Sequence, residues 1–493
     1  MADTSTIPQA PAPPAPASAP DSSSKELVWH GANGQRISYR ATAELLPIHH
    51  YETGALIGMM FMISYLAQDG TDDRPVTFLW NGGPGASSDM INIGGLGPHY
   101  VPVRGTDHLS NPSVYRDNPY TLLQESDLVF IDAFGCGLSK VDPSFDAKTI
   151  WGVDGDASAC ASGVAAWVQK HHRYNSPLFL YGESYGTLRN ALVFRLLGER
   201  GVSVTGVVEQ SSILDFAPTL SGNDDYYLGM LPLYAAAACH FGKAGAQSAV
   251  SEWWDKAQSF ADTTLASAIT QGDNLSTETF NDVAQEMSRL IGLSPDFIKS
   301  RGLRIELDDF RAHLLESEGK FIGRYDMRYT SFAYKPVQGD SEFFSGEDPS
   351  MDAINSPYVS AYLRLVQETG YEVDPNYNAL NFKVNQAWNW AHQAPGTQGM
   401  PIVPDGSFDI SCALRRNPRA HILFIGGYFD AATPFWNVRH DMAKLFLPPE
   451  LKAQIQYRVY ETGHMTYADD KVPALLAADL KAFYGKCTRA LDD

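Results

Sequence analysis

Five residues, Gly182-Glu183-Ser184-Tyr185-Gly186, constrain this chain more than any other stretch. They follow the apolar run 177–181 and open onto the helix-like stretch 187–194, so a G-x-S-x-G pattern lies between a strand and a helix. In that setting the serine sits on a tight turn with its hydroxyl aimed out of the sheet, as a nucleophile. Turns of this kind accept many residue types just before the serine. Here Glu183 holds that place, and an acid beside a nucleophile needs an explanation.

The rest of the chain alternates strand and helix signals around this turn. Residues 37–40 and 58–65 read as early strands, and 75–80 as a third that ends abruptly at Asn81-Gly82-Gly83-Pro84-Gly85. Residues 127–132 have a continuous apolar centre, the mark of a strand covered on both faces. Residues 156–170 carry Cys160, Val164, Trp167 and Val168 at helical spacing, and 204–210 reads as another strand. Such alternation indicates an α/β fold with a mostly parallel central sheet flanked by helices. From about 217 to 396 the rhythm gives way to aromatic, helix-like and irregular polar stretches, which read as an inserted, largely helical cap. It resumes with strands at 421–425 and 454–460 and a last helix over 472–484. The expected organisation is a tail at 1–25, a first part of the core at 26–216, the cap at 217–396 and a second part of the core at 397–493.

The tail is rich in Ala, Pro and Ser and lacks the basic and apolar regions of a signal peptide. A periplasmic or secreted protein is favoured if a signal peptide preceded this tail and was removed, and a cytoplasmic one stays open. With 493 residues, 44% hydrophobic and 19% charged, the chain can bury a sizeable core. A net charge of -20 argues against a nucleic-acid partner, which calls for a cationic surface. No segment reaches the roughly 20 apolar residues of a membrane span, and 55–66 reads as a buried strand instead. Five scattered cysteines without a C-x-x-C suggest neither a disulfide framework nor a thiolate zinc site. The pairs His49-His50 and His171-His172 lack the i, i+4 spacing of a zinc-binding helix, so no metal or other cofactor is expected.

A serine hydroxyl becomes a useful nucleophile only when a base takes its proton and a third group orients that base. In α/β hydrolases the chain order is Ser, acid, His. Asp430 follows the strand that starts at His421, and His464 follows the last strand. Both fall at the carboxyl ends of strands, where open α/β sheets place their sites. Ser184, Asp430 and His464 are therefore the candidate triad. The glycine-rich turn after residue 80 stands where this fold supplies half of its oxyanion hole. Gly83 would give one N–H donor and Tyr185, just after the serine, the other.

These residues carry a resemblance. Trp80 to Ser88 (W-N-G-G-P-G-A-S-S) and Gly182-Glu183-Ser184-Tyr185 resemble the two signature motifs of the serine carboxypeptidases, the peptidase S10 family within the α/β-hydrolase superfamily. Residues 132–139, the block Gly427 to Pro434 around Asp430, and Gly463-His464-Met465 resemble further blocks of that family. The resemblance implies an enzyme that releases C-terminal amino acids from peptides through an acyl-enzyme, favoured in acid and without a cofactor. It implies that Asn81, the Gly82 N–H and Glu183 hold the free carboxylate of the substrate, and that Met465 lines the pocket for the C-terminal side chain. Two carboxylates at hydrogen-bond distance share a proton, which accounts for Glu183. Ala86 stands where eukaryotic members carry a disulfide-forming cysteine, and Gly186-Thr187 where Ala-Gly is common, features more similar to bacterial members.

Two other readings attach to the same residues. A carboxylesterase or acyltransferase would use the triad without the clamp, on a small ester substrate. A non-catalytic binding protein would need neither. Trp388, Trp390 and Tyr334, in the expected cap, are candidates for pocket walls or core.

Overall fold

An apolar run buried on both faces can satisfy its backbone only by pairing with neighbouring strands. In the computed structural model, which describes residues 22–489 apart from 32–33, 69, 72, 110–113, 334–347 and 402, that requirement is met by one ten-stranded sheet. Most of the expected tail, up to residue 21, and Tyr334 lie outside the described residues. The strands in chain order are β1 (Ser22–His30), β2 (Arg36–His49), β3 (Leu56–Ala67), β4 (Val76–Trp80), a short antiparallel pair β5 (His99–Tyr100) and β6 (Arg116–Asp117), then β7 (Asp127–Ile131), β8 (Lys140–Val141), β9 (Leu178–Glu183) and β10 (Gly206–Gln210). A separate hairpin, β11 (Lys320–Ile322) and β12 (Thr330–Phe332), precedes β13 (His421–Gly427) and β14 (Ile455–Tyr460).

The sheet runs β1-β2-β3-β7-β4-β9-β10-β13-β14, with β8 attached to β3. Strands β1, β2, β3 and β7 pair antiparallel in turn, and each pairing from β7–β4 to β13–β14 is parallel. The alternation of side chains across β9 divides the interior into two apolar layers. Leu178 and Leu180 face one layer, Phe179 and Tyr181 the other.

A single turn, α1 (Asp89–Ile91), follows the glycine-rich loop, and α2 (Val153–Lys170) and α3 (Tyr185–Glu199) cover the first layer. Helices α4 (Asp224–His240), α5 (Val250–Phe260), α6 (Ala266–Gln271), α7 (Thr277–Ile291), α8 (Pro295–Ser300) and α9 (Leu307–His313) build a cap with its own core. Its spine is α4, apolar all round, with residues 227–239 buried throughout. Around it pack amphipathic helices such as α7, whose first turn is capped by the Ser276 hydroxyl and whose end is closed by Gly292 at φ 76°. The chain then returns to the sheet. In α10 (Pro349–Glu368), Tyr358 and Tyr362 belong to the second layer; α11 (Phe382–Gln386) contributes Val384 to the first. Helices α12 (Ser407–Arg416), α13 (Phe435–Ala443), α14 (Pro449–Lys452) and α15 (Val472–Arg489) complete both covers.

Three features differ from the sequence expectation. Strand β1 begins at Ser22, inside the stretch read as tail, because Ser22 to His30 pair residue by residue with Glu44 to Arg36. Strand β2 extends over fourteen residues, since it pairs with β1 on one side and β3 on the other. The stretch read as one insertion also serves two purposes: residues 224–322 make the cap core, whereas α10, α11 and the segment after them lie against the sheet. The five cysteines are all free thiols, and four of them are buried.

Candidate active site

The turn after β9 brings Ser184 to φ 61° and ψ -132°, a conformation a side chain adopts only when its surroundings enforce it. Two close approaches do so. A side chain at Gly182 would meet the Gly186 carbonyl oxygen at 2.2 Å, and one at Gly186 would meet the Trp80 backbone and ring at about 3 Å. The Ser184 N–H donates to the Gln210 carbonyl (3.0 Å), which ties the turn to β10. Ser184 stands at the N-cap of α3, yet its side chain makes no capping bond. The first-turn N–H groups of α3 favour negative charge beside it.

Asp430 and His464 meet at the carboxyl ends of β13 and β14. The Asp430 Oδ2 lies 2.8 Å from His464 Nδ1, and both residues are buried, 0% and 3% exposed. Asp430 is oriented by the N–H groups of Ala432 (2.9 Å) and Thr433 (3.1 Å) and by the Thr433 hydroxyl, which donates to Oδ2 at 2.7 Å. The His464 N–H donates to the Tyr325 carbonyl (2.7 Å), the Ser211 hydroxyl donates to the His464 carbonyl (2.5 Å), and the Tyr325 ring stands edge-on to the imidazole. Burial disfavours an imidazolium at His464, but the Asp430 carboxylate, and after it Glu183, outweigh that and raise its pKa above the ordinary value.

The glycine-rich turn lies against the serine turn. A Cβ at Gly82 would sit 2.4 Å from the Tyr185 nitrogen and 2.8 Å from the Glu183 carbonyl, so only glycine permits this approach. Gly83 (φ 103°) and Gly85 (φ 95°) take backbone conformations that favour glycine. The Gly82 carbonyl accepts from the Ala86 N–H at 3.2 Å, which closes the turn.

Behind both turns, Asn81 Nδ2 donates to Glu183 Oε1 (2.6 Å) and Gln210 Nε2 donates to Oε2 (2.6 Å). The Tyr181 hydroxyl donates to Gln210 Oε1 (2.7 Å), and Asn81 Oδ1 accepts from the Ile91 N–H (3.0 Å). The Tyr467 hydroxyl also faces the carboxyl, at less than full hydrogen-bond geometry. Glu183 is 3% exposed, and burial pushes its pKa up to about 7 against the opposing pull of His464 and the donors. Asn81 itself is held from below. Arg189 Nη1 donates to its carbonyl (2.9 Å), and Arg189 is paired with Asp156 (2.7 Å) in full burial.

Asn81, Gly82 and Glu183 are thus brought together, Gly82 abuts Tyr185, and Asp430 touches His464. Met465 is buried in the second layer. Trp388 and Trp390 stand edge-on to the Tyr185 ring, with centroids 5.3 and 5.9 Å away. A cavity of about 240 Å³ opens beside Asp430, walled by Ala431, Ala432, Asn437, Tyr226 and Arg324. Sequence reasoning missed Gln210, Thr433 and the Arg189–Asp156 pair. The signal for Gln210 was a polar pair, Glu209-Gln210, closing a buried strand; for Arg189 it was a charge in the fully buried first half of a helix. Among the described residues no cluster of His, Cys, Asp and Glu suits a metal ion, and no helix is long and apolar enough to cross a membrane.

Residues 55–188 match the family model of the serine carboxypeptidases, which supports the resemblance over both signature turns. No curated protein sequence matches the chain. Among solved structures, it is similar to Kex1(delta)p, a prohormone-processing carboxypeptidase from Saccharomyces cerevisiae. The TM-score is 0.55 at 13% identity, over 92% of this chain and 91% of that one. A putative aryl esterase from Burkholderia cenocepacia aligns with a TM-score of 0.35 at 12% identity, over 91% and 100% of the two chains. An acetylester hydrolase from Corynebacterium glutamicum aligns with a TM-score of 0.35 at 13% identity, over 90% and 96%. The fold is that of the α/β hydrolases.

Proposed function

We propose, from a serine carboxypeptidase signature on an α/β-hydrolase frame, that the chain removes C-terminal amino acids from peptides. The observation that carries this reading is Glu183, a buried acid one residue before the serine, bonded to two amides and with its pKa pushed up to about 7. A protonated Glu183 can donate to a substrate carboxylate, whereas an ionised one repels it. With Asn81 and the Gly82 N–H it forms a receptor for the end of a peptide.

Ser184 Oγ attacks the last peptide carbonyl as His464 Nε2 takes its proton. Asp430 holds the imidazole with Nδ1–H directed to its carboxylate and stabilises the imidazolium that forms. The carbonyl oxygen, now negative, receives N–H groups from Gly83 and Tyr185. Collapse of the tetrahedral intermediate breaks the C–N bond, and the leaving amine takes the proton from Nε2. Water then attacks the acyl ester with the same base. No step calls for a cofactor.

The test is hydrolysis of N-blocked dipeptides with free and amidated C-termini, from acidic to mildly alkaline pH. The expected result is turnover of the free acids alone, with KM lowest in acid. Equal turnover of both series, with no gain in acid, would discard the clamp and leave a general esterase or acyltransferase.

A further inference from the structure

The oxyanion donors proposed above belong to two turns from distant parts of the chain, and one segment touches both. Residues 377–390, around α11, run as a strap across the outside of the glycine-rich turn. Asn385 Nδ2 donates to the Pro84 carbonyl at 3.2 Å, and the Asn381 N–H donates to the Gly85 carbonyl at 2.9 Å. Next to these, Ala86 and Leu380 form an antiparallel bridge, and the Ser87 N–H donates to the Ala379 carbonyl at 2.8 Å. The contact is close enough that a Cβ on Gly85 would stand 2.9 Å from the Asn381 carbonyl oxygen. At its other end the strap sets Trp388 and Trp390 edge-on against the ring of Tyr185.

Backbone planarity carries this restraint to the donor. In the peptide unit joining Gly82 and Gly83, the carbonyl and the N–H point in opposite directions. The Gly82 carbonyl accepts from Ala86 N–H, and Ala86 is fixed in turn by the strap. Pinning that carbonyl aims the Gly83 N–H the other way. The strap is anchored beyond the site: Asn381 Nδ2 donates to the Gly135 carbonyl at 2.7 Å, and Asn389 exchanges backbone bonds with Trp151 and Val153.

The geometry points to the strap, through Asn385, as the positioning element that aligns the two oxyanion donors. Asn385 is a positioning residue, since its amide reaches the turn and not the reacting atoms. The inference rests on the acyl-transfer reading, but it holds equally for peptide and ester substrates.

The experiment compares the parent with Asn385→Ala and Asn385→Asp, on a blocked dipeptide and on p-nitrophenyl acetate, with thermal melting measured alongside. Misaligned donors weaken the transition state and not ground-state binding, so kcat falls about ten- to a hundredfold while KM stays within about twofold. Inhibition by a peptide boronic acid, which presents a tetrahedral oxyanion, weakens by the same factor. Asn385→Asp keeps the shape but has no proton to donate once ionised. Its kcat relative to the parent is therefore low at neutral pH and recovers in acid. Unchanged kcat in both variants, a loss confined to KM, or boronate affinity equal to the parent's overturns the strap's role. Should Asn385→Ala fail to fold, Asn385→Asp decides alone through its pH-dependent ratio. A parent inactive on both substrates and not labelled by a fluorophosphonate overturns the acyl-transfer reading itself, and the strap's role with it.

Discussion

At the scale of single residues, Glu183 does the most to separate one chemistry from another. Its carboxyl is raised to about 7, so below that pH it is mostly protonated and can share its proton with a substrate carboxylate. Above pH 7 the ionised fraction dominates, and the neutral form falls about tenfold per pH unit. For a peptide with a free C-terminus, KM is therefore expected to climb by up to about tenfold per unit above pH 7. Glu183→Gln removes the titration, and its KM is expected to stay flat from pH 5 to 9; a KM profile that overlays the parent's would refute the shared proton. Ser184, Glu183, Asp430 and His464 were legible in the sequence because each sits where a strand ends, and strand ends announce themselves by apolar runs stopping at glycine. Gln210 and Arg189 were not. Their parts depend on which strand and which helix lie beside them, and a one-dimensional pattern does not record neighbours across the sheet.

At the scale of elements, the chain just beyond the strap is held by a histidine. The charged His392 ring donates from both nitrogens, to Asp154 in α2 at 2.6 Å and to Asp409 in α12 at 2.9 Å. Asp409 is also bound by Arg195 of α3, which pairs in turn with Glu199. Burial opposes the charge on His392, but the two carboxylates outweigh it and raise the pKa to about 9. A histidine raised in the folded state stabilises fully below its unfolded pKa, near 6.5, and loses that contribution as pH rises through 9. His392→Gln is expected to lower the melting temperature at pH 6 and to make little difference at pH 10; a deficit that stays constant with pH would refute the charged bridge. The main strands were readable from their apolar runs. The strap was not, because residues 377–390 show neither a period of two nor a period of 3.6, and their order comes from amide bonds to loops far away in sequence. Strand β1 escaped notice for a related reason: backbone pairing asks nothing of its serines.

At the scale of the whole molecule, cap and core are joined through α13 and the turn before it. Phe429, Ala431 and Trp436 belong to the cap's apolar cluster although they follow β13 in the chain. The residues flanking Asp430 are thus part of the cap core, so the cap's packing bears directly on the acid that orients His464. The change of rhythm near residue 217 was visible in sequence, but the return to the sheet at α10 was not, since its buried tyrosines read equally well as cap or core. The cysteines offer a last consequence. Cys136 lies beneath the glycine-rich turn, where its thiol donates to the Ala86 carbonyl at 3.0 Å, and none of the five sulfurs is bonded to another. The turn that shapes the site is therefore secured by hydrogen bonds and not by a disulfide. Melting temperature and activity are expected to be the same with and without a reductant such as dithiothreitol, and refolding to need no oxidant or thiol shuffling. A reductant-dependent melting temperature would contradict this. The folded state holds no disulfide, so a reductant finds no bond there to break.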